Sequence, residues 1–131
     1  MTRPPAMFRR QIRIHVDRDS VAAGDDMRSH AADVTARRGS RLSEIIDGVT
    51  PDVRVPGWSW VVIVDRETAA VWSVDGGIRM LVPDRTVTAE SLDVFFRYFM
   101  QIDADWLLAR LAEGARPNRD ALTAEWQRSR S

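Results

Sequence analysis

The chain has neither cysteine nor lysine in its 131 residues. The first absence removes disulfides, thiolate nucleophiles and Cys-ligated zinc together. The second excludes chemistry that needs a lysine amine, such as Schiff bases and phosphate loops, and leaves arginine as the sole basic residue. Net charge is lacking too: 19 basic residues cancel 19 acidic ones, so no overall field draws the chain to nucleic acid or an anionic membrane. Long apolar runs are also missing. Met1 to Met7 carries no signal-peptide-like stretch, and nowhere do apolar residues continue for the roughly 18 positions of a membrane span. The expectation is a cytoplasmic protein with no membrane partner.

What is present is an ordinary globular composition, 44% hydrophobic and 29% charged, in a length that suits one core and not two. Exclusive use of Arg, together with an excess of Asp over Glu, is the skew of a GC-rich genome and implies a bacterial or phage source. The expected organisation is a flexible tail over 1–7, a single α+β domain over 8–128 and a frayed end over 129–131. Within the domain, 8–82 form a sheet with one short helix and 88–128 a helical cover.

Period-2 alternation predicts a first strand over Phe8 to Val16, with Phe8, Ile12, Ile14 and Val16 opposed to Arg9, Gln11, Arg13 and His15. Asp17 to Ser29 is rich in turn-forming residues. A weaker strand follows over His30 to Arg37, with Ala32, Val34 and Ala36 inward. Leu42, Ile45 and Ile46 then have helical spacing, and Gly48 suits a left-handed cap. Trp58 to Val64 is apolar on both faces, as an interior strand would be. Ala69 to Val74 and Ile78 to Val82 flank Asp75, Gly76 and Gly77, a hairpin turn in which both glycines tolerate positive φ. From Ala89 onward, Leu92, Phe95, Phe96, Phe99, Ile102, Trp106, Leu107 and Leu111 follow steps of three and four, which predicts helices broken near Asp103 and ended by Gly114. Pro117 and Asn118 open a last amphipathic stretch carrying Leu122 and Trp126.

The segments RQIRIHV, SRLSEIIDG and WSWVVIV, in that order, resemble a ubiquitin-like β-grasp across roughly Phe8 to Val82. The resemblance implies a mixed or antiparallel sheet of about five strands with one short helix, on a scaffold widely used for protein binding. The helical C-terminus departs from ubiquitin-like modifiers, so a conjugation role is not implied.

Three classes of site can be weighed. The acidic stretch after the first strand, bracketed by His15 and His30, offers His15, Asp17, Asp25, Asp26 and His30 to a divalent ion. Its spacing fails the EF-hand template, because Val21, Ala22 and Arg28 stand where a ligand, a Gly and a Glu are required. Arg9, Arg10, Arg13 and Arg37 form a candidate nucleic-acid contact, disfavoured by the neutral total charge. Arg9, Arg13, His15 and Arg37, with Trp126 on the last helix, form a candidate protein-binding set, since Arg and Trp are enriched at interface hot spots. With no GxSxG, HExxH or phosphate-loop motif, the expected function is a non-catalytic protein-binding module without a cofactor. Its roles would be those of an adaptor, an immunity-type inhibitor or an accessory subunit of a bacterial or phage assembly. Its partner is another protein, or a second copy in a homo-oligomer. A metal-dependent enzyme or metal sensor is the alternative, and a nucleic-acid-binding protein the second.

Overall fold

Alternation in QIRIHV produces the first strand of a mixed sheet because it gives the pleat one face to bury: Ile12 and Ile14 are buried, whereas Gln11, Arg13 and His15 are exposed. The computed structural model describes residues 10–21 and 29–130. Six strands and three helices are found among them: β1 (Gln11–Arg18), β2 (Ala32–Arg37), α1 (Leu42–Asp47), β3 (Ser59–Val64), β4 (Glu67–Ser73), β5 (Gly77–Met80), β6 (Ser91–Tyr98), α2 (Ala104–Ala112) and α3 (Arg119–Ser129). The sheet order is β2-β1-β6-β3-β4-β5. All neighbours are antiparallel except β1 and β6, which run parallel at its centre.

Each face of the sheet carries its own core. Ile12, Ile14, Trp60, Val62, Trp72, Val94 and Phe96 lie under Leu42, Ile45 and Ile46 of α1. Trp60 is the hub of an aromatic cluster on this side, with ring centroids 5.0 Å from Tyr98 and 6.5 Å from Trp72. On the other face Val61, Val71 and Phe99 are covered by Ile102 ahead of α2, by Leu107 and Leu111 of α2 and by Leu122 of α3. β3 supplies both cores from alternate residues, as its two-sided apolar sequence predicts.

The stretch read as the first C-terminal helix is instead β6, the strand that joins the two halves of the sheet. Leu92, Val94, Phe96 and Tyr98 are buried on one face, while Asp93, Phe95 and Arg97 turn to the other. Steps of three and four fitted the same residues because Phe95 and Phe99 interrupt the alternation of Leu92, Val94, Phe96 and Tyr98 and dilute its period-2 signal. The helical cover therefore occupies 104–129 only, and the change from strand to helix falls after Tyr98, not at Pro83 to Val87. The rest of that segment follows its sequence. Asp103 caps α2 by accepting from Trp106 N–H at 2.9 Å, and Gly114 takes φ +102° just beyond the helix end.

Two smaller expectations also change. Gly48 is right-handed at φ −75°, so α1 ends without a left-handed cap. Of the hairpin glycines, Gly77 alone has positive φ, at +70°, while Gly76 N–H donates to Ser73 Oγ at 2.9 Å. The expectations for Phe8 and Gly24 fall outside the described residues.

Side-chain ties hold the helices to the sheet. Asp19 accepts from Tyr98 N–H at 3.0 Å and from Arg119 Nη1 at 3.4 Å, linking the end of β1 to β6 and α3. Arg110 donates to both carboxylate oxygens of Glu125, at 2.9 and 3.2 Å, which joins α2 to α3 and holds the Glu125 carboxyl below the usual carboxylate range.

Candidate functional site

The helices α2 and α3 cover only part of their face. They lie over β3, β4 and the end of β6, leaving the same face open on β1, β2 and the start of β6. Strand alternation and register decide what this open half displays. Arg13 pairs with Thr35 and Ser91, His15 with Asp33 and Asp93, and Gln11 with Arg37. All of these residues are exposed.

His15 lies at the centre of this surface. Its Nδ1 is 2.9 Å from Asp33 Oδ1 across the antiparallel pair, and Asp93 and Asp17 are further carboxylates around the ring. The hydrogen bond to Asp33 raises the imidazole above its ordinary value of 6.5, and the surrounding negative charge acts in the same direction. Next to the ring is a recess of about 250 Å³ between Asp17, Ile63, Arg66, Asp93 and Phe95. Asp65 at its rim is occupied structurally, bonded to the Asp93 backbone through both its N–H and its Oδ1 at 2.9 Å.

Arg13 and Arg37 stand diagonally across the β1–β2 pair, and neither meets a carboxylate among the described residues. Both guanidinium groups are therefore available to a partner. Arg9 falls outside the described residues. Arg10 lies exposed at the start of β1, where it joins Thr35, Ala36 and Arg37 in a shallow depression at the sheet margin.

Trp126 belongs to a different place. Its half-buried ring lies 5.3 Å from that of Trp106 within the helical cover, with the Arg130 guanidinium 5.3 Å from its centroid. It borders a larger depression of about 620 Å³, but several of the polar groups there have structural partners. Arg79 pairs with Asp105, Asp103 caps α2, Asp75 accepts from Gly57 N–H, and Ser59 Oγ donates to Ile102 O. That depression offers little unspent chemistry.

Three of the candidate metal ligands, His15, Asp17 and His30, lie within the described residues and each has its own partner. His15 is bonded to Asp33, His30 Nε2 to Ser20 Oγ at 3.1 Å, and Asp17 accepts from Arg18 N–H. Asp25 and Asp26 fall outside the described residues. Among the described residues no three His, Asp or Glu side chains converge on a point that could hold an ion. The basic row is likewise interrupted by Asp33 and Asp93, so no continuous positive stripe tracks across the face. Asp93 and Phe95 were missed as members of the surface because they lie on the strand read as a helix. Alternation turns Asp33 outward, but its pairing with His15 needed the strand register. No helix is long and apolar enough to cross a membrane among the described residues. No protein-family model matches the chain, and comparisons with curated proteins and with solved structures give no match either.

Proposed function

We propose that the chain is a non-catalytic protein-binding module whose contact surface is the uncovered half of the sheet. The observation that carries this reading is the pair Arg13 and Arg37, two guanidinium groups without carboxylate partners among the described residues, held by a paired strand beside the exposed His15–Asp33 couple. Arg binds carboxylates through two parallel N–H donors, so the partner chemistry that fits is an acidic patch on another protein. A cytoplasmic adaptor, immunity-type inhibitor or accessory subunit of a bacterial or phage assembly would use such a surface. The β-grasp resemblance belongs to the same proposal. Its support is the β1–β2 hairpin followed by α1 across one face, with the first and last strands parallel at the sheet centre.

The test is capture of the partner from the native host with wild type and Arg13→Glu. Reversing a desolvated Arg should cost about 2 kcal/mol or more of binding. The melting temperature should not fall, because Arg13 is exposed. If Arg13→Glu binds as tightly as wild type while Trp126→Ala, still melting cooperatively, no longer binds, the contact surface is the helical cover.

A further inference from the structure

β2 ends the sheet, and its outer edge pairs with no other strand among the described residues. Arg13 N–H bonds Glu90 O on the β6 side, so odd residues of β1 point their backbone toward β6 and even residues toward β2. The register Ile12 with Ala36 and Ile14 with Val34 then turns the even residues of β2 inward. Asp33, Thr35 and Arg37 therefore direct their N–H and C=O groups away from the sheet. Among the described residues these groups meet no other strand; Arg37 O accepts from Ser40 N–H at 3.1 Å and keeps its second lone pair. Edge strands are commonly guarded by short length, proline, a bulge or charged side chains. β2 has no proline, pairs with β1 without a register shift, and carries one charge of each sign on its outward-bonding residues.

We infer that β2 pairs antiparallel with β2 of a second copy of this chain, about a two-fold axis at Thr35, to make one continuous sheet across two subunits. The charges select both occupant and register. Centring on Thr35 sets Asp33 of each copy opposite Arg37 of the other, and cross-strand pairs of opposite charge stabilise a sheet whereas like charges oppose it. Centring on Asp33 or on Arg37 would oppose like charges. Centring on Val34 or Ala36 would leave one charge opposite Thr35, and a register between residues would match outward backbone groups to inward ones. The Thr35 register aligns the outward groups of all three residues in both copies, which makes about six backbone hydrogen bonds.

The other face of the strand supports the same occupant. Val34 is 38% exposed, one of few large hydrophobic side chains so exposed among the described residues. It borders a groove of about 270 Å³ between β2 and α1, with Ile14, Ala36, Ile45 and Val49. A two-fold axis perpendicular to the sheet keeps both α1 helices on one side and places Val34 against Ala36 of the other copy, so the two grooves meet at the seam. Asp33 can serve both contacts, with one oxygen on His15 and the other on Arg37 of the second copy. The inference takes Arg37 of the surface proposed above into the seam and leaves Arg13 outside it for a partner.

Sedimentation velocity of the full chain over a concentration series should show a monomer–dimer equilibrium. Asp33→Arg or Arg37→Asp alone should weaken it by roughly tenfold or more, since both symmetric pairs become repulsive. The double exchange Asp33→Arg/Arg37→Asp should restore it, with melting temperature reported for every variant. Thr35→Cys, the sole cysteine, should form a disulfide between copies on mild oxidation, because Cα atoms of a hydrogen-bonded pair lie about 5.5 Å apart. Three results would overturn the proposal: a wild type that stays monomeric at every soluble concentration, a dimer that survives both single reversals, or a double exchange that folds but stays monomeric. A monomer that still binds a heterologous partner through Arg13 would refute the self-pairing and leave the partner reading intact.

Discussion

His15 is one of two histidines and half exposed, yet its surroundings are set by three strands at once. Asp33 reaches it from β2, Asp93 from β6 and Asp17 from its own strand. All three are negative, so the fold favours the imidazolium. The sign of the linkage follows. A group whose folded pKa lies above its unfolded value stabilises the fold fully below that unfolded value, and the contribution fades as pH rises through the folded pKa. The ring resonances of His15, assigned by comparison with His15→Gln, should therefore titrate with a midpoint above 6.5 and move back toward 6.5 in Asp33→Asn. The melting-temperature gap between wild type and His15→Ala should be small at neutral pH, as for exposed pairs generally, and widen as pH falls through the histidine range. A midpoint that does not respond to Asp33→Asn would show that the pair does not persist in solution.

At the scale of elements, strand β6 separates what could be read locally from what could not. Segments whose signal is self-contained were legible: the alternation of QIRIHV, the apolar run of WSWVVIV, the Asp-Gly-Gly turn and the Asn118 start of α3. Strand period alone put Arg13 and His15 on one face, while Arg37 joins that row only through the β1–β2 register. β6 was not. Its neighbours β1 and β3 come from distant parts of the chain, and Phe95 puts an apolar residue on its outer face, so LDVFFRYF satisfies a helical period about as well as an extended one. β2 shows the complementary limit: its alternation was legible but its burial was not, since Ala32 and Val34 remain exposed at the sheet edge. The position of β6 also has an energetic consequence. Phe96 is fully buried against Trp72 at a centroid distance of 6.3 Å, and truncation to Ala should cost about 3–5 kcal/mol. Asp93, on the exposed face of the same strand, should cost within about 0.5 kcal/mol on the same truncation. Urea unfolding of the two variants measures the contrast, and similar losses would mean that β6 is not the core strand described.

For the molecule as a whole, the order β2-β1-β6-β3-β4-β5 makes the sheet two pieces joined by one strand. The β1–β2 hairpin and the β3–β4–β5 meander each form from neighbouring sequence, but they meet only through β6, which arrives late in the chain. A fragment ending at Val87 therefore loses more than a cover. It leaves Ile12, Ile14, Trp60 and Val62 without the strand that closes their core, and exposes Val61 and Val71 on the other face. Two short sheets of two and three strands do not hold such surfaces out of water. The expected result is a fragment over 1–87 that aggregates or shows no cooperative melt. Adding residues 88–131 as a separate chain should restore a cooperative transition, because β6, α2 and α3 together carry all the missing contacts. A fragment over 1–103 should behave differently: it keeps every strand pair, and its defect is the uncovered Val61, Val71 and Phe99, so a lowered melting temperature with retained sheet signal is expected. Circular dichroism melts of the three preparations separate these outcomes. A soluble fragment over 1–87 that melts cooperatively would mean that β6 adds to a finished domain instead of completing one.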